Sequence, residues 1–332
     1  MPLKNKRILF LSARTFGIPE NITQTMEALG ATVDFYDERP ANSFIVKALI
    51  RINRNLIAGY INRYHKKIIE ATKDKKYDYI FFIKGESFSR HNLDFLFRLH
   101  PEARTIMYYW DSIANNPNAV NLSGRFDRVF SFDRSDCEKM GFSFLPLFYF
   151  DEYKEVGTYP GPYDYDCLFV GTTHSDRFRF VSSITEQIKA FGGKCFTYFF
   201  FQGKIMFYKY KFQNREMRGI SSKAVHFVPL SKKSLLDLYR RSRIVMDVQH
   251  PKQIGLTLRC LETLGAKRKL ITTNQDIRNY DFYNPNNILV VDRNNPVVPN
   301  GFLNTPYTEV NKDIYDKYSI TSWVKHILKE SE

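Results

Sequence analysis

The chain has 332 residues, more than one mixed α/β domain needs, so two domains of about 150 residues each are expected. Hydrophobic residues at 43% and charged residues at 25% exclude extended disorder, and a net charge of +14 points to an anionic partner: a nucleotide, a nucleic acid or an acidic membrane face. Cys137, Cys167, Cys195 and Cys260 are too widely spaced for a CxxC metal or redox site, and the apolar run Ile8–Leu11 after the basic start is too short for a signal h-region or a membrane span.

In chain order, the first half alternates short apolar strands with helical patterns. Strands are read at Arg7–Ser12, Thr32–Tyr36, Tyr77–Ile83, Thr105–Trp110 and Arg128–Phe132. Helices are expected over Pro19–Leu29, stopped by Gly30, over a long segment from about Ala41 to Thr72, and over Ser89–Leu99. The stretch Asp151–Tyr163, punctuated by Gly157, Pro160, Gly161 and Pro162, reads as an interdomain linker without helical period. The pattern then restarts. Strands are read at Cys167–Val170, Cys195–Phe201, Val225–Val228, Ile244–Val248, Lys269–Thr272 and Ile288–Val291. Helices are expected over Ser175–Phe191, after Ser231, from Gly255, and near Ile314–Lys329, the last able to pack on either domain through Trp323, Val324 and Ile327. The expected fold is α/β, with two Rossmann-like doubly wound domains facing a central cleft: residues 1–155, then 156–312, then a C-terminal helix over 313–332 packing back.

Open α/β sheets bind ligands beyond the carboxyl ends of their strands, so residues just after strands are the candidates. In the second half, Gln249 to Ala266 runs from a strand through a loop into a helix and suits an anionic ligand. Gly255 allows close backbone approach, free helix-start amides face the loop, and Thr257 with Arg259 supplies donors for a diphosphate. Glu262 on the same helix can accept ribose hydroxyls. The competing reading is a surface loop leading to an amphipathic helix with Leu258, Leu261 and Leu264 as its buried stripe.

The run Gly-Leu-Thr-Leu-Arg-Cys-Leu-Glu-Thr-Leu-Gly-Ala over 255–266, followed by Lys-Leu-Ile-Thr-Thr-Asn over 269–274, resembles the donor segment of GT-B glycosyltransferases. The likeness is greatest to capsule and lipopolysaccharide synthesis proteins of the CgeB-like and group 1-like kinds. It implies a nucleotide-sugar donor, with Gly255, Leu256, Thr257 and Arg259 near the phosphates, Glu262 on the ribose, and no obligatory cofactor or metal. The segment Cys167–Arg177 is similar to the first strand and turn of the donor domain, which adds Gly171, Thr172, Thr173, His174 and Arg177; His250 and Lys252 join them from the later loop. Many retaining members carry a second glutamate eight residues before the one matched by Glu262; here that position is Ile254, so the stereochemical outcome stays open.

In the first half, Tyr108-Tyr109-Trp110-Asp111 puts a carboxylate at a strand end beside aromatics. Asp111 can serve as the base for an acceptor hydroxyl, with Tyr109 or Trp110 stacking on a sugar; a turn or N-cap aspartate is the alternative use. Glu86 is the reserve base, and Ser12, Arg14 and Lys84 are further strand-end candidates for the acceptor. Asp164-Tyr165-Asp166 matches a DxD metal pattern but precedes a strand, so no metal is assigned to it.

The expected activity is glycosyl transfer from a nucleotide-sugar to an oligosaccharide or lipid-linked acceptor of a capsule, lipopolysaccharide or O-antigen. A nucleotide-sugar epimerase and a basic nucleic-acid-binding protein are kept as alternatives. Basic, aromatic stretches at Phe44–Lys67 and Gly203–Arg218 suit either solvated faces or contact with an anionic leaflet, so the expected location is the cytoplasm and the inner face of the cell membrane.

Overall fold

A computed structural model describes residues 1–41, 54–113, 117–172, 176–213, 215–251 and 253–329. The chain divides into two compact units. The first holds Met1–Leu147, Lys252–Gly255 and Ile320–Glu332; the second holds Phe148–Pro251 and Leu256–Ser319.

In the first unit, strands β1 (Arg7–Ser12), β2 (Thr32–Asp37), β3 (Tyr79–Ile83), β4 (Arg104–Tyr109), β5 (Arg128–Ser131) and β6 (Ser143–Phe144) form a parallel sheet in the order β2-β1-β3-β4-β5-β6. Every residue of β3 is buried, and in β1 and β4 only the first is not. Such unbroken apolar strands are what a parallel sheet covered on both faces requires. Phe10 stacks on Phe81 at 5.0 Å between ring centres, and Trp323 packs edge-on against Tyr108 at 4.9 Å. The C-terminal helix Ile320–Ile327 is therefore part of this unit's core, which resolves which body it joins.

The second unit holds β7 (Tyr165–Thr172), β8 (Cys195–Phe200), β9 (Ser242–Asp247), β10 (Lys269–Thr272) and β11 (Ile288–Val290), all parallel, in the order β11-β10-β9-β7-β8. Numbered from each unit's first strand, both sheets run 2-1-3-4-5, and the first adds a sixth. The order reverses between β1 and β3 in one unit and between β7 and β9 in the other. A doubly wound sheet opens its ligand crevice at such a reversal, beyond the carboxyl ends of the two strands.

Four expected elements differ. Asp151–Gly157, read as linker, is a helix that buries Tyr153 and Val156; seven residues are too few for apolar periodicity to show. Val225–Val228 is not a strand: His226 makes one isolated bridge to Phe200, and Val228 is 71% exposed. Of the long segment from Ala41, residues 42–53 lie outside the described residues, and the remainder gives a short turn, Arg54–Ile57, and the helix Ala58–Thr72. The last helix divides into Lys312–Lys317 and Ile320–Ile327, because Ser319 leaves the helical path to bridge Tyr149.

Candidate functional site

At the reversal point of the second unit, three guanidinium groups converge on the ends of β7 and β9. Arg177, the first residue of the helix Arg177–Ala190, is buried and donates to the Thr172 carbonyl and hydroxyl, both at 3.1 Å, and to the Val248 carbonyl at 2.5 Å. Its Nε has no hydrogen-bond partner among the described residues. Burial, then the positive charges of Arg259 and Arg293, push it down to about 10, against the opposing pull of Asp247 and Asp176.

Arg259 donates to the Val170 carbonyl at 2.5 Å and to Asp247 Oδ1 at 3.3 Å. Asp247 closes β9 and is fully buried; it also accepts the Thr257 hydroxyl at 2.8 Å and the Cys260 thiol at 3.4 Å. Thr257 is the N-cap of the helix Leu258–Gly265, yet its hydroxyl is spent on Asp247, so the helix start carries no side-chain cap. A helix start without a side-chain cap and a concentration of cations both favour an anion. The third guanidinium, Arg293, makes a two-pronged pair with Asp176, each bond 2.7 Å, and donates to the Gln249 carbonyl at 3.0 Å. Among the described residues Arg259 is thus ion-paired with Asp247 and Arg293 with Asp176, while Glu262 also acts on Arg259 from further along its helix. Gly171 lies among them: a Cβ there would meet the Phe169 ring at 2.9 Å and Arg259 Nη2 at 3.5 Å.

Glu262, further along the Leu258–Gly265 helix, is hydrogen-bonded to Tyr153 of the helix Asp151–Gly157. Burial raises its carboxyl above the usual range, with Arg259 and the Tyr153 hydroxyl working against that rise. Leu256 is buried, His250 is partly exposed in the loop after β9, and Thr173, His174 and Lys252 lie outside the described residues. Gly255 is grouped with the first unit. Its amide and that of Ile254 donate to Asp133 Oδ2 at 3.0 and 3.1 Å, and an added Cβ would strike the Phe132 ring at 2.6 Å. This glycine serves a close approach, to an aromatic ring of its own chain.

The reversal point of the first unit carries a second charged group. Lys84 and Gly85 follow β3 with φ of 75° and 64°, a left-handed pair that a lysine rarely adopts, and a Cβ on Gly85 would lie 2.6 Å from Met107 Cε. Lys84 Nζ pairs with Asp111 Oδ2 and lies 3.4 Å from Glu86 Oε1 and 6.0 Å from the centre of the Trp110 ring. Asp111 is the accessible carboxylate, with 43% of its side chain exposed against 8% for Glu86.

Other residues expected at the acceptor surface are placed differently. Ser12 is fully buried, Tyr109 is buried and stacks on Phe142 at 5.6 Å, and Arg14 is exposed with its guanidinium 3.6 Å from Glu20. Inward-facing side chains of β1 and β4 fill the core, which accounts for Ser12 and Tyr109. The DxD carboxylates are engaged in ion pairs, Asp164 with Arg241 at 2.5 Å and Asp166 with Arg243 at 3.4 Å.

Four residues of these groups were not singled out from the sequence: Asp176, Asp247, Arg293 and Glu38. Asp247 and Arg293 had a usable signal, since both stand at or just beyond strand ends. Glu38 follows β2, is fully buried, and among the described residues has no hydrogen-bond partner on either carboxylate oxygen. Burial first and the charge of Glu86 second push it up to about 8, with Asp37 adding to the rise and Arg39 and Lys84 opposing it.

No family model matches the chain, and no curated protein matches it significantly in sequence. Solved structures do. A glycosyltransferase from Rickettsia africae is 14% identical with a TM-score of 0.55, covering 98% of this chain and 100% of its own. The Anabaena protein HepE, solved with UDP and glucose, is 10% identical at a TM-score of 0.57, with coverage of 97% and 98%. A UDP-GlcNAc 2-epimerase from Methanocaldococcus jannaschii is 9% identical at 0.50, with 98% of each chain covered. The chain has the two-domain Rossmann-like GT-B fold.

Proposed function

We propose that the protein is a glycosyltransferase that takes a nucleotide-sugar as donor, bound by the second unit, and a glycan acceptor bound by the first. The observation that carries this reading is the set Arg177, Arg259 and Arg293 at the β7/β9 reversal, of which Arg259 and Arg293 are ion-paired while Arg177 Nε has no hydrogen-bond partner among the described residues. A diphosphate supplies what such a cluster lacks: negative charge and oxygens for charge-assisted hydrogen bonds. The solved relative with UDP and glucose supports the same class of ligand.

In the transfer, the acceptor oxygen bonds to the anomeric carbon, the bond from that carbon to the phosphate oxygen breaks, and the nucleoside diphosphate leaves with the electron pair. Arg259 and Arg177 stabilise the charge that develops on the leaving group, together with the uncapped helix start at Thr257. Glu262 binds the ribose hydroxyls. Asp111 receives the acceptor proton: Lys84 Nζ pairs with its Oδ2 and fixes its position, and its exposure leaves an oxygen accessible. Glu86, nearly hidden behind the same lysine, steadies Lys84. The acceptor we assign is a surface glycan, free or lipid-linked.

Incubation with a panel of nucleotide-sugars, with and without oligosaccharide acceptors, tests the reading. Nucleotide release that accelerates on adding acceptor is the expected result. Conversion of the donor sugar without acceptor would favour the epimerase that shares the fold, and salt-sensitive oligonucleotide binding with no effect of nucleotide-sugars would favour the nucleic-acid alternative.

A further inference from the structure

The helix Lys204–Gln213 in the second unit is turned the opposite way from an ordinary surface helix. Only Phe207 is buried, packed among Met217, Ile220 and Val225, while Lys211 reaches the Ile220 carbonyl at 2.7 Å and Tyr210 meets Phe201 edge-on at 5.7 Å. Those residues fix one side to the domain. Ile205, Tyr208 and Phe212, spaced i, i+3 and i+7, share the opposite side and are 86%, 57% and 84% exposed. Lys204 and Lys209 are exposed beside them, and no acidic residue occurs from Gly203 to Arg215.

We propose that this face docks on an anionic lipid surface, with Ile205, Tyr208 and Phe212 entering the headgroup boundary and Lys204 and Lys209 pairing with lipid phosphates. Isolated exposed apolar residues are ordinary, but three in line on a helix without an acidic residue form a surface that water solvates poorly. The combination of aliphatic, aromatic and lysine side chains is the chemistry that partitions to a bilayer interface. Charge decides the partner. A chain of net charge +14 gains from an anionic leaflet and is repelled by a second copy of the same cationic face. No helix among the described residues is long and apolar enough to cross a membrane, so the attachment is peripheral.

The test is flotation of the full chain with vesicles of phosphatidylcholine alone and of phosphatidylcholine mixed equally with phosphatidylglycerol. The expected result is binding to the mixed vesicles only. The triple variant Ile205→Ser, Tyr208→Ser, Phe212→Ser should lose at least about tenfold in affinity, because it removes the apolar area. Lys204→Gln with Lys209→Gln should lose about 30-fold, at roughly 1 kcal/mol for each lysine near the surface. All five residues are exposed, so both variants should keep the parent melting temperature, and the readout needs no transferase activity. Absence of binding to mixed vesicles, or equal binding by the triple variant, would overturn the proposal. So would a concentration-dependent dimer that the triple variant loses, which would assign the face to a second copy.

Discussion

The Arg259 guanidinium lies 3.3 Å from the carboxylate of Asp247, which is fully buried at the end of β9 and holds Thr257 as well. One carboxylate thus sets the positions of two residues that start the Leu258–Gly265 helix. Asp247→Asn keeps an acceptor for Thr257 but removes the charge that offsets Arg259 and Arg177. We expect a loss of roughly 2–3 kcal/mol in stability, below the figure for a fully buried pair because 23% of the Arg259 side chain is exposed. Urea denaturation measures this; an unchanged midpoint would show that Asp247 does not restrain the arginines.

Glu262→Gln addresses the sugar end of the nucleotide. The substitution removes the charged acceptor, and affinity for a ribonucleoside diphosphate should fall about tenfold while affinity for its 2′-deoxy counterpart changes little. Calorimetric titration with both ligands gives the comparison. An equal loss for the two would place Glu262 away from the ribose.

Glu38 gives a pH dependence of defined sign. Its carboxyl sits at about 8 in the fold against an ordinary 4.5, so between those values the native state keeps a proton that the unfolded chain has released. Stability must therefore fall as pH rises through that window, by an amount on the order of a few kcal/mol. Denaturant midpoints at pH 5 and pH 8 should differ in the parent protein, and Glu38→Gln, which cannot ionise, should flatten the difference. A decline of the same size in the variant would trace the pH dependence to other groups.

Asp111→Asn separates chemistry from donor binding. Transfer should slow by about 10²–10⁴-fold, the usual contribution of a general base, with donor affinity unchanged. Steady-state kinetics with a fixed acceptor decides it. A near-normal rate would transfer the role to Glu86, tested by Glu86→Gln.

Much of the scaffold was legible because parallel strands buried on both faces leave unbroken apolar runs. Arg7–Ser12 and Lys269–Thr272 were bounded to the residue, and the doubly wound order followed. Short elements were not: the seven residues of Asp151–Gly157 are held by Tyr153 packing on Tyr239, a contact invisible along the chain. The same limit applies at the sites. Asp111 stands out as a carboxylate at a strand end, Arg259 as a donor in a loop-to-helix run, and Arg177 through a resemblance to the donor domain's first strand and turn. Glu38 and Asp176 become meaningful only through the neighbours that folding brings, Glu86 and Lys84 to the one and Arg293 to the other. Gly255 shows the converse case: the sequence signals close backbone approach, and only the fold shows that Phe132 is what approaches.

The most direct test of the donor site is calorimetric titration of the chain and of Arg259→Ala with UDP, GDP, CDP, CMP and dTDP, and with the matching nucleosides. The account predicts selective binding of one nucleotide, weakened about 10²-fold or more in the variant, with a nucleoside affinity that the substitution leaves alone. Binding of no nucleotide, or a diphosphate affinity that Arg259→Ala does not change, would contradict it.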